Sequence, residues 1–216
     1  DYRMTSRAME PEDDDERWVT LLMCGSRGMS HELVRHGDFT AISQRSTRYV
    51  DESESLWVEH PLLSHVRQHL LSRGAVEYLN EMRLIAATDV ERELCRIHGL
   101  SHQQTVVARA LYRDEANALT AFLVESDKDR LTARKQARGA ARGFLGNALY
   151  TEVVFSASVR QWRYMLQARC SDAADAEIRV LFARALKELQ RSRHGDRFAD
   201  LRLRPAQDGI GDVLDS

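Results

Sequence analysis

The chain has 216 residues, 43% of them hydrophobic and 30% charged, with a formal net charge of −2. That suits one well-buried globular domain and is short for two. The near balance of charge supplies no overall field to draw in a nucleic-acid polymer or a membrane. Three widely spaced cysteines with no CxxC pair argue against a disulfide framework and a structural zinc, and fit a reducing cytoplasm. There is no run of about 18 apolar residues and no signal-peptide pattern, so the expectation is a soluble, cytoplasmic protein. Lysine occurs only at Lys128, Lys135 and Lys187, whereas arginine is abundant. GC-rich codon usage accounts for most of that bias; the forked phosphate chemistry of guanidinium accounts for a few positions.

In chain order, residues 1–17 are polar and end in an acidic run, Glu10–Glu16. Consecutive carboxylates cannot all face one ion, so the run reads as a solvated loop. Trp18–Cys24 is rich in strand formers and reads as a buried strand, broken by Gly25-Ser26-Arg27-Gly28. Met29–Arg35 reads as a short helix that Gly37 closes. Residues 38–60 read as a loop up to Pro61. From Leu62 to about Val124 the apolar spacing is helical, with interruptions at Arg73-Gly74 and Gly99-Leu100-Ser101, which divides it into about three helices with Ser101 as an N-cap. Asp127–Gly143 reads as a further helix and turn. Leu149–Ala157 reads as a second strand, and Val159–Ala168 and Ala173–Arg191 as amphipathic helices, the latter capped by Ser171 or Asp172. The acidic, Gly-containing tail beyond Gln207 reads as frayed. No internal repeat is present. The fold class is therefore α+β, a small antiparallel sheet with a predominantly helical body, as one domain over 1–216 with its core at about 18–191.

The stretch Ser30–Tyr49 gathers Arg35, His36, Gln44, Arg45, Ser46, Thr47 and Arg48 just after an apolar strand. Neither a helix nor a strand needs that chemistry; an anion site does. Taken singly, Arg35 and His36 read as cations meeting a helix C-terminus, and Ser46 and Arg48 as a polar turn. Together they resemble the signature of the flavin-dependent thymidylate synthases: Arg-His-Arg, a loop of seven or eight residues, then Ser-x-Arg-Tyr. Further matches follow in order. Arg142, in ARGFLGNALYT, is similar to the family's arginine before its second strand, and Arg169, in LQARCSD, to the arginine after the next helix. Ser158 and Arg160 stand at the family's flavin-contacting Asn-x-Arg. Apolar neighbours around Arg142 and Arg169 argue against simple surface solvation.

The resemblance implies reductive C5-methylation of a uridine nucleotide, dUMP or UMP. FAD would be the cofactor, with NADPH as reductant and methylenetetrahydrofolate as carbon donor. It implies nucleotide contacts at Glu32, Arg35, Gln44, Arg45, Ser46, Thr47, Arg48, Arg142 and Arg169, with Arg169 stabilising charge at uracil N3–O4. It implies flavin contacts at Arg35, His36, Gly37, Gln44, Ser158, Arg160 and Tyr164, no metal, and a homotetramer with shared active sites. Ser46 has no adjacent base to activate it and is assigned to nucleotide binding. The chain departs from the family pattern at Glu32 (usually Gln), Gly37 (Arg), Gln44 (commonly Glu) and Ala173 (His), which bears mainly on flavin contacts. Two readings follow. One is a divergent enzyme, similar to the UMP/dUMP C5-methylases of polyoxin-type antibiotic pathways. The other is a catalytically silent nucleotide-binding or scaffolding relative.

Overall fold

The computed structural model describes residues 6–9, 18–36, 40–72 and 89–215. In chain order the elements are β1 (Ser6–Met9), β2 (Trp18–Ser26), α1 (Arg27–Leu33), β3 (Thr40–Gln44), α2 (Pro61–Ser72), α3 (Asp89–Glu125), α4 (Arg130–Ala141), β4 (Tyr150–Ser158), α5 (Val159–Arg169), α6 (Ala176–Arg191), β5 (Leu203–Pro205) and β6 (Asp212–Leu214). Single 3-10 turns follow α1, α4 and α6. This is the α+β class expected from the sequence. The chain divides into two compact units, one of residues 1–45, 58–62 and 150–216, the other of residues 46–57 and 63–149.

The first unit is built on an antiparallel sheet in the order β1-β2-β4-β3. Period-two alternation gives it one buried face: Val19, Leu21 and Met23 of β2, with Val153, Phe155 and Ala157 of β4, are all buried. Trp18↔Ser158 and Ser26↔Tyr150 fix the β2–β4 register. Against that face lie Trp162, Met165 and Leu166 of α5 and Ile178, Leu181, Phe182, Leu186 and Leu189 of α6. Trp162 meets Phe155 edge-on at 5.3 Å between ring centroids, and its indole N–H donates to the Val19 carbonyl at 2.9 Å. A buried Trp thus spends both its area and its polar handle on joining helix to sheet.

The strand-to-helix junction is sharper than the sequence suggests. β2 runs through Gly25 and Ser26, and α1 begins at once, because Ser26 Oγ caps the helix by accepting from the Met29 N–H at 3.0 Å. The buried carboxylate of Glu177 accepts both the Ser26 N–H (3.0 Å) and its hydroxyl (2.7 Å). α1 covers Arg27–Leu33, and Val34–His36 form a 3-10 turn, where the sequence indicates one helix over Met29–Arg35.

Four expectations are corrected. The stretch 38–60 contains a strand, β3, paired with β4 from Thr40↔Ala157 to Gln44↔Val153; only five residues long, it is masked by its polar content. α3 passes through Gly99-Leu100-Ser101 without a break, since a lone helical Gly costs only about 1 kcal/mol and no proline follows it. The cap of α6 is Asp175, not Ser171 or Asp172. The tail forms the hairpin β5–β6, with Gly209 and Gly211 at φ 73° and 74°, where their lack of a Cβ suits the turn. The readings at Glu10–Glu16, Gly37 and Arg73-Gly74 lie outside the described residues.

The second unit is dominated by the antiparallel pair α3 and α4. Ala133, Ala137 and Ala141 of α4 are buried, and Tyr112 and Ala116 of α3 pack with Ala141 and Leu145. Asp129 caps α4 through the Leu131 and Thr132 N–H groups. Among the described residues no helix is long and apolar enough to cross a membrane, and no cluster with metal-ligand chemistry occurs.

Candidate functional site

Within the first unit the structure brings together Glu32, Arg35, His36 and Arg169. Arg169 is the last residue of α5. Its Nε donates to His36 Nε2 at 2.7 Å, and its NH1 group to Glu32 Oε2 at 3.3 Å. The other Glu32 oxygen meets Arg35 at 2.9 Å, so one carboxylate spans two guanidiniums. The Arg169 side chain is 20% exposed and that of Arg35 70%. Since Nε2 of His36 accepts, the ring is neutral with its proton on Nδ1. Burial lowers the His36 pKa from 6.5, the Arg169 charge lowers it further, and Glu32 opposes both.

The turn after Arg169 is held from the C-terminus. The Leu214 N–H donates to the Cys170 carbonyl at 2.8 Å. The Asp172 carboxylate accepts from Arg204 at 2.9 Å and from the Gln207 N–H at 2.8 Å. Buried Arg179 donates to the Asp172 carbonyl at 3.3 Å and pairs with Asp208 at 2.5 Å. The sequence offered no sign of this support, because Asp208, Arg204 and Gln207 lie 29 to 35 residues from their partners.

Other expected residues of this unit are placed less simply. The Gln44 amide donates to Ser30 Oγ (3.0 Å) and Thr151 Oγ1 (3.1 Å), so its N–H groups serve the strand junction. The Arg45 N–H donates to the Glu152 carbonyl at 2.9 Å, extending the sheet by one residue. Ser158 caps α5 by accepting from the Gln161 N–H at 3.2 Å, which leaves its own hydroxyl proton to donate. Arg160 is exposed, and Tyr164, one turn on, is 60% exposed. A hydroxyl donor at the N-cap, a guanidinium and an open phenol ring thus lie along the first turns of α5. Gly37 lies outside the described residues.

Ser46, Thr47, Arg48 and Arg142 belong to the second unit. Ser46 opens a tight turn: its carbonyl accepts from the Tyr49 and Val50 N–H groups (3.2 and 3.1 Å), and its hydroxyl from the Arg48 N–H at 3.4 Å. No histidine or carboxylate contacts that hydroxyl among the described residues. Thr47 is buried and Arg48 exposed, with the Arg48 stem packed along α4 at Gly139. Arg142 is the C-cap of α4 and is exposed, whereas its apolar neighbours in sequence suggest burial; they turn inward through Ala141 and Leu145.

Sequence reasoning missed the anchors of this turn. Arg138 donates to the Tyr49 carbonyl (3.0 Å) and pairs with Asp51 (2.7 Å). The Tyr112 hydroxyl accepts from the buried Glu52 N–H at 3.3 Å. Lys135 lies 4.5 Å from the Tyr49 ring centroid and, as hydrogen-bond partner and charge, lowers the phenol pKa. The available signal was the spacing of Arg134, Arg138 and Arg142, which puts guanidiniums along one side of a helix.

Residues 18–192 match the Thy1 family, described as thymidylate synthase complementing protein. A flavin-dependent thymidylate synthase of Mycobacterium marinum is 35% identical over 164 residues, covering 76% of this chain and 54% of that protein. One of Mycobacterium sp. strain KMS is 35% identical over 187 residues, covering 85% and 62%. The chain thus spans little more than half the length of the first of these relatives. A UMP/dUMP methylase, PolB, of Streptomyces cacaoi, solved with 5-Br dUMP, shares the fold at TM-score 0.53 and 17% identity, covering 86% of this chain and 72% of its own. The chain, matched over most of its length, belongs to the Thy1 family.

Proposed function

We propose that the protein catalyses reductive C5-methylation of a uridine monophosphate, dUMP or UMP, with FAD as cofactor, methylenetetrahydrofolate as carbon donor and NADPH as reductant. The observation that carries this reading is the Arg169 guanidinium, held at the end of α5 by His36 and Glu32 inside the family-matched region. Uracil is a poor nucleophile at C5, and negative charge must grow on its N3–O4 edge before carbon can be attached. A fixed guanidinium meets that charge without reorganising, which is the most effective electrostatic arrangement for a developing anion. His36 keeps Arg169 oriented through its neutral ring, and Glu32 bridges Arg35 and Arg169.

Ser46, Thr47 and Arg48, with Arg142, supply a hydroxyl and two exposed guanidiniums suited to a nucleotide phosphate. Gln44 and Arg45 lead into that turn from β3. FAD, when bound, supplies the electrons; Ser158, Arg160 and Tyr164, with Arg35, His36 and Gly37, are the residues assigned to hold it. The assembly proposed is a homotetramer whose subunits share these sites, and the compartment is the cytoplasm.

The test is flavin titration followed by turnover. The protein is expected to bind oxidised FAD, and to form the 5-methyl nucleotide from dUMP and UMP when NADPH and methylenetetrahydrofolate are supplied. A site that tolerates one added hydroxyl discriminates by about a hundredfold or less. Folded protein with no flavin affinity would overturn the enzymatic reading and leave the silent relative.

A further inference from the structure

A second cluster of guanidiniums lies wholly within the second unit. The cleft between α3 and α4 has a volume of about 560 Å³, a size suited to a small molecule. Arg113 lines it from α3, and Arg130, Arg134 and Arg138 from α4. Two carboxylates, Asp51 and Glu125, also line it, so positive charge is in excess. Arg138 is engaged by Asp51 and the Tyr49 carbonyl, and Arg113 by Asp114 at 3.0 Å. Arg130 and Arg134 have no acceptor among the described residues. The start of α4 is not the source of attraction, because Asp129 already takes the Leu131 and Thr132 N–H groups.

From these residues we infer that the α3–α4 cleft binds the phosphate group of a small phosphate ester, with Arg130 and Arg134 as its two forks. Side chains four apart on a helix have Cβ atoms about 5–6 Å apart, so both guanidiniums reach one ligand. A single carboxylate satisfies one fork bidentately, whereas a dianionic phosphate has oxygens for two. The wall contributed by Ala121 and Val124 gives an ester's body an apolar surface, and Asn117 and Thr120 give it polar contacts. None of these residues belongs to the Arg169 cluster or to the Ser46–Arg48 turn.

The experiment is calorimetric titration of the whole protein with inorganic pyrophosphate at fixed low salt, since such contacts are screened. Wild-type protein is expected to bind. The double variant Arg130→Ala/Arg134→Ala changes two exposed side chains and is expected to bind about a hundredfold more weakly, roughly tenfold per lost fork. Two controls locate the effect: Arg169→Ala, in the proposed catalytic cluster, and Arg96→Ala/Arg191→Ala, which removes the same charge elsewhere, are both expected to bind as wild type does. Absence of binding to wild-type protein, or equal weakening in either control, would overturn the site. So would equally tight binding of tricarballylate, which carries the charge on carboxylates. Flavin affinity measured on the same samples reports separately on the proposed methylation function.

Discussion

At the scale of single residues, the relation between Arg169 and His36 decides how the candidate site responds to substitution and to pH. A planar fork can donate to an imidazole and a carboxylate at once, which an ammonium on a flexible stem does not reproduce. Arg169→Lys is therefore expected to lower kcat by roughly 10²–10³ with the fold intact, read as turnover alongside an unchanged melting temperature. Retained turnover would remove Arg169 from the chemistry. His36 gives a pH signature. Its folded pKa lies below 6.5, so the unfolded chain takes up a proton in a window where the folded chain does not. Stability therefore falls as pH drops from about 6.5 through the lowered value, then levels. Replacing the ring by His36→Gln is expected to flatten that part of a melting-temperature profile; an unchanged slope would show that other groups set it. Each of the two was legible only within its own short stretch, His36 beside Arg35 and Arg169 in LQARCSD. Their mutual hydrogen bond, across 133 residues, was not.

At the scale of elements, the C-terminal hairpin is part of the support of α5. Its turn places Asp208 against Arg179, which is 1% exposed. Arg179 Nε has no acceptor among the described residues, so the guanidinium depends on the bonds it does make. Removing its partner by Asp208→Ala leaves a buried cation short of acceptors. Removing the cation itself by Arg179→Met leaves a half-exposed carboxylate that water can solvate. Asp208→Ala is thus expected to be the more destabilising, by about 1–3 kcal/mol in denaturant unfolding; the reverse order would mean that the ion pair is incidental. The hairpin reads as a frayed tail in sequence because its strands are three residues each and its turn is Gly-rich. What orders it is contact with residues 170–172 and 179, which no local pattern encodes. By contrast β2, β4, α5 and α6 were legible in outline, since each carries an apolar periodicity of its own over nine or more residues.

At the scale of the whole molecule, apolar surface remains outside either core. On α3, Val106 and Val107 are each 55% exposed and Leu111 46%. These side chains are the surface on which the proposed tetramer can be tested. The protein is expected to sediment as a species larger than the 24.7 kDa monomer, and Val107→Glu/Leu111→Glu to shift it toward the monomer. A monomeric wild type would remove subunit sharing from the proposed function. The fold class followed from composition and periodicity. The division into two compact units did not, because residues 58–62 return to the first unit between segments of the second, and a single sequence carries no trace of such a return.

The tryptophans fall on both sides of that division. Trp162 is fully buried among Phe155 and Phe182 in the first unit, while Trp57 stands in the second, its ring against Gly146. Trp18 is the third and belongs to the first. Emission from an indole shifts to the red as it meets water, so variants that keep only Trp162 or only Trp57 would each report on one unit by its colour. Coincident transitions from the two reporters would identify one cooperative folding unit, and separated ones two. The chain thus carries its own optical means of distinguishing them, without an added dye.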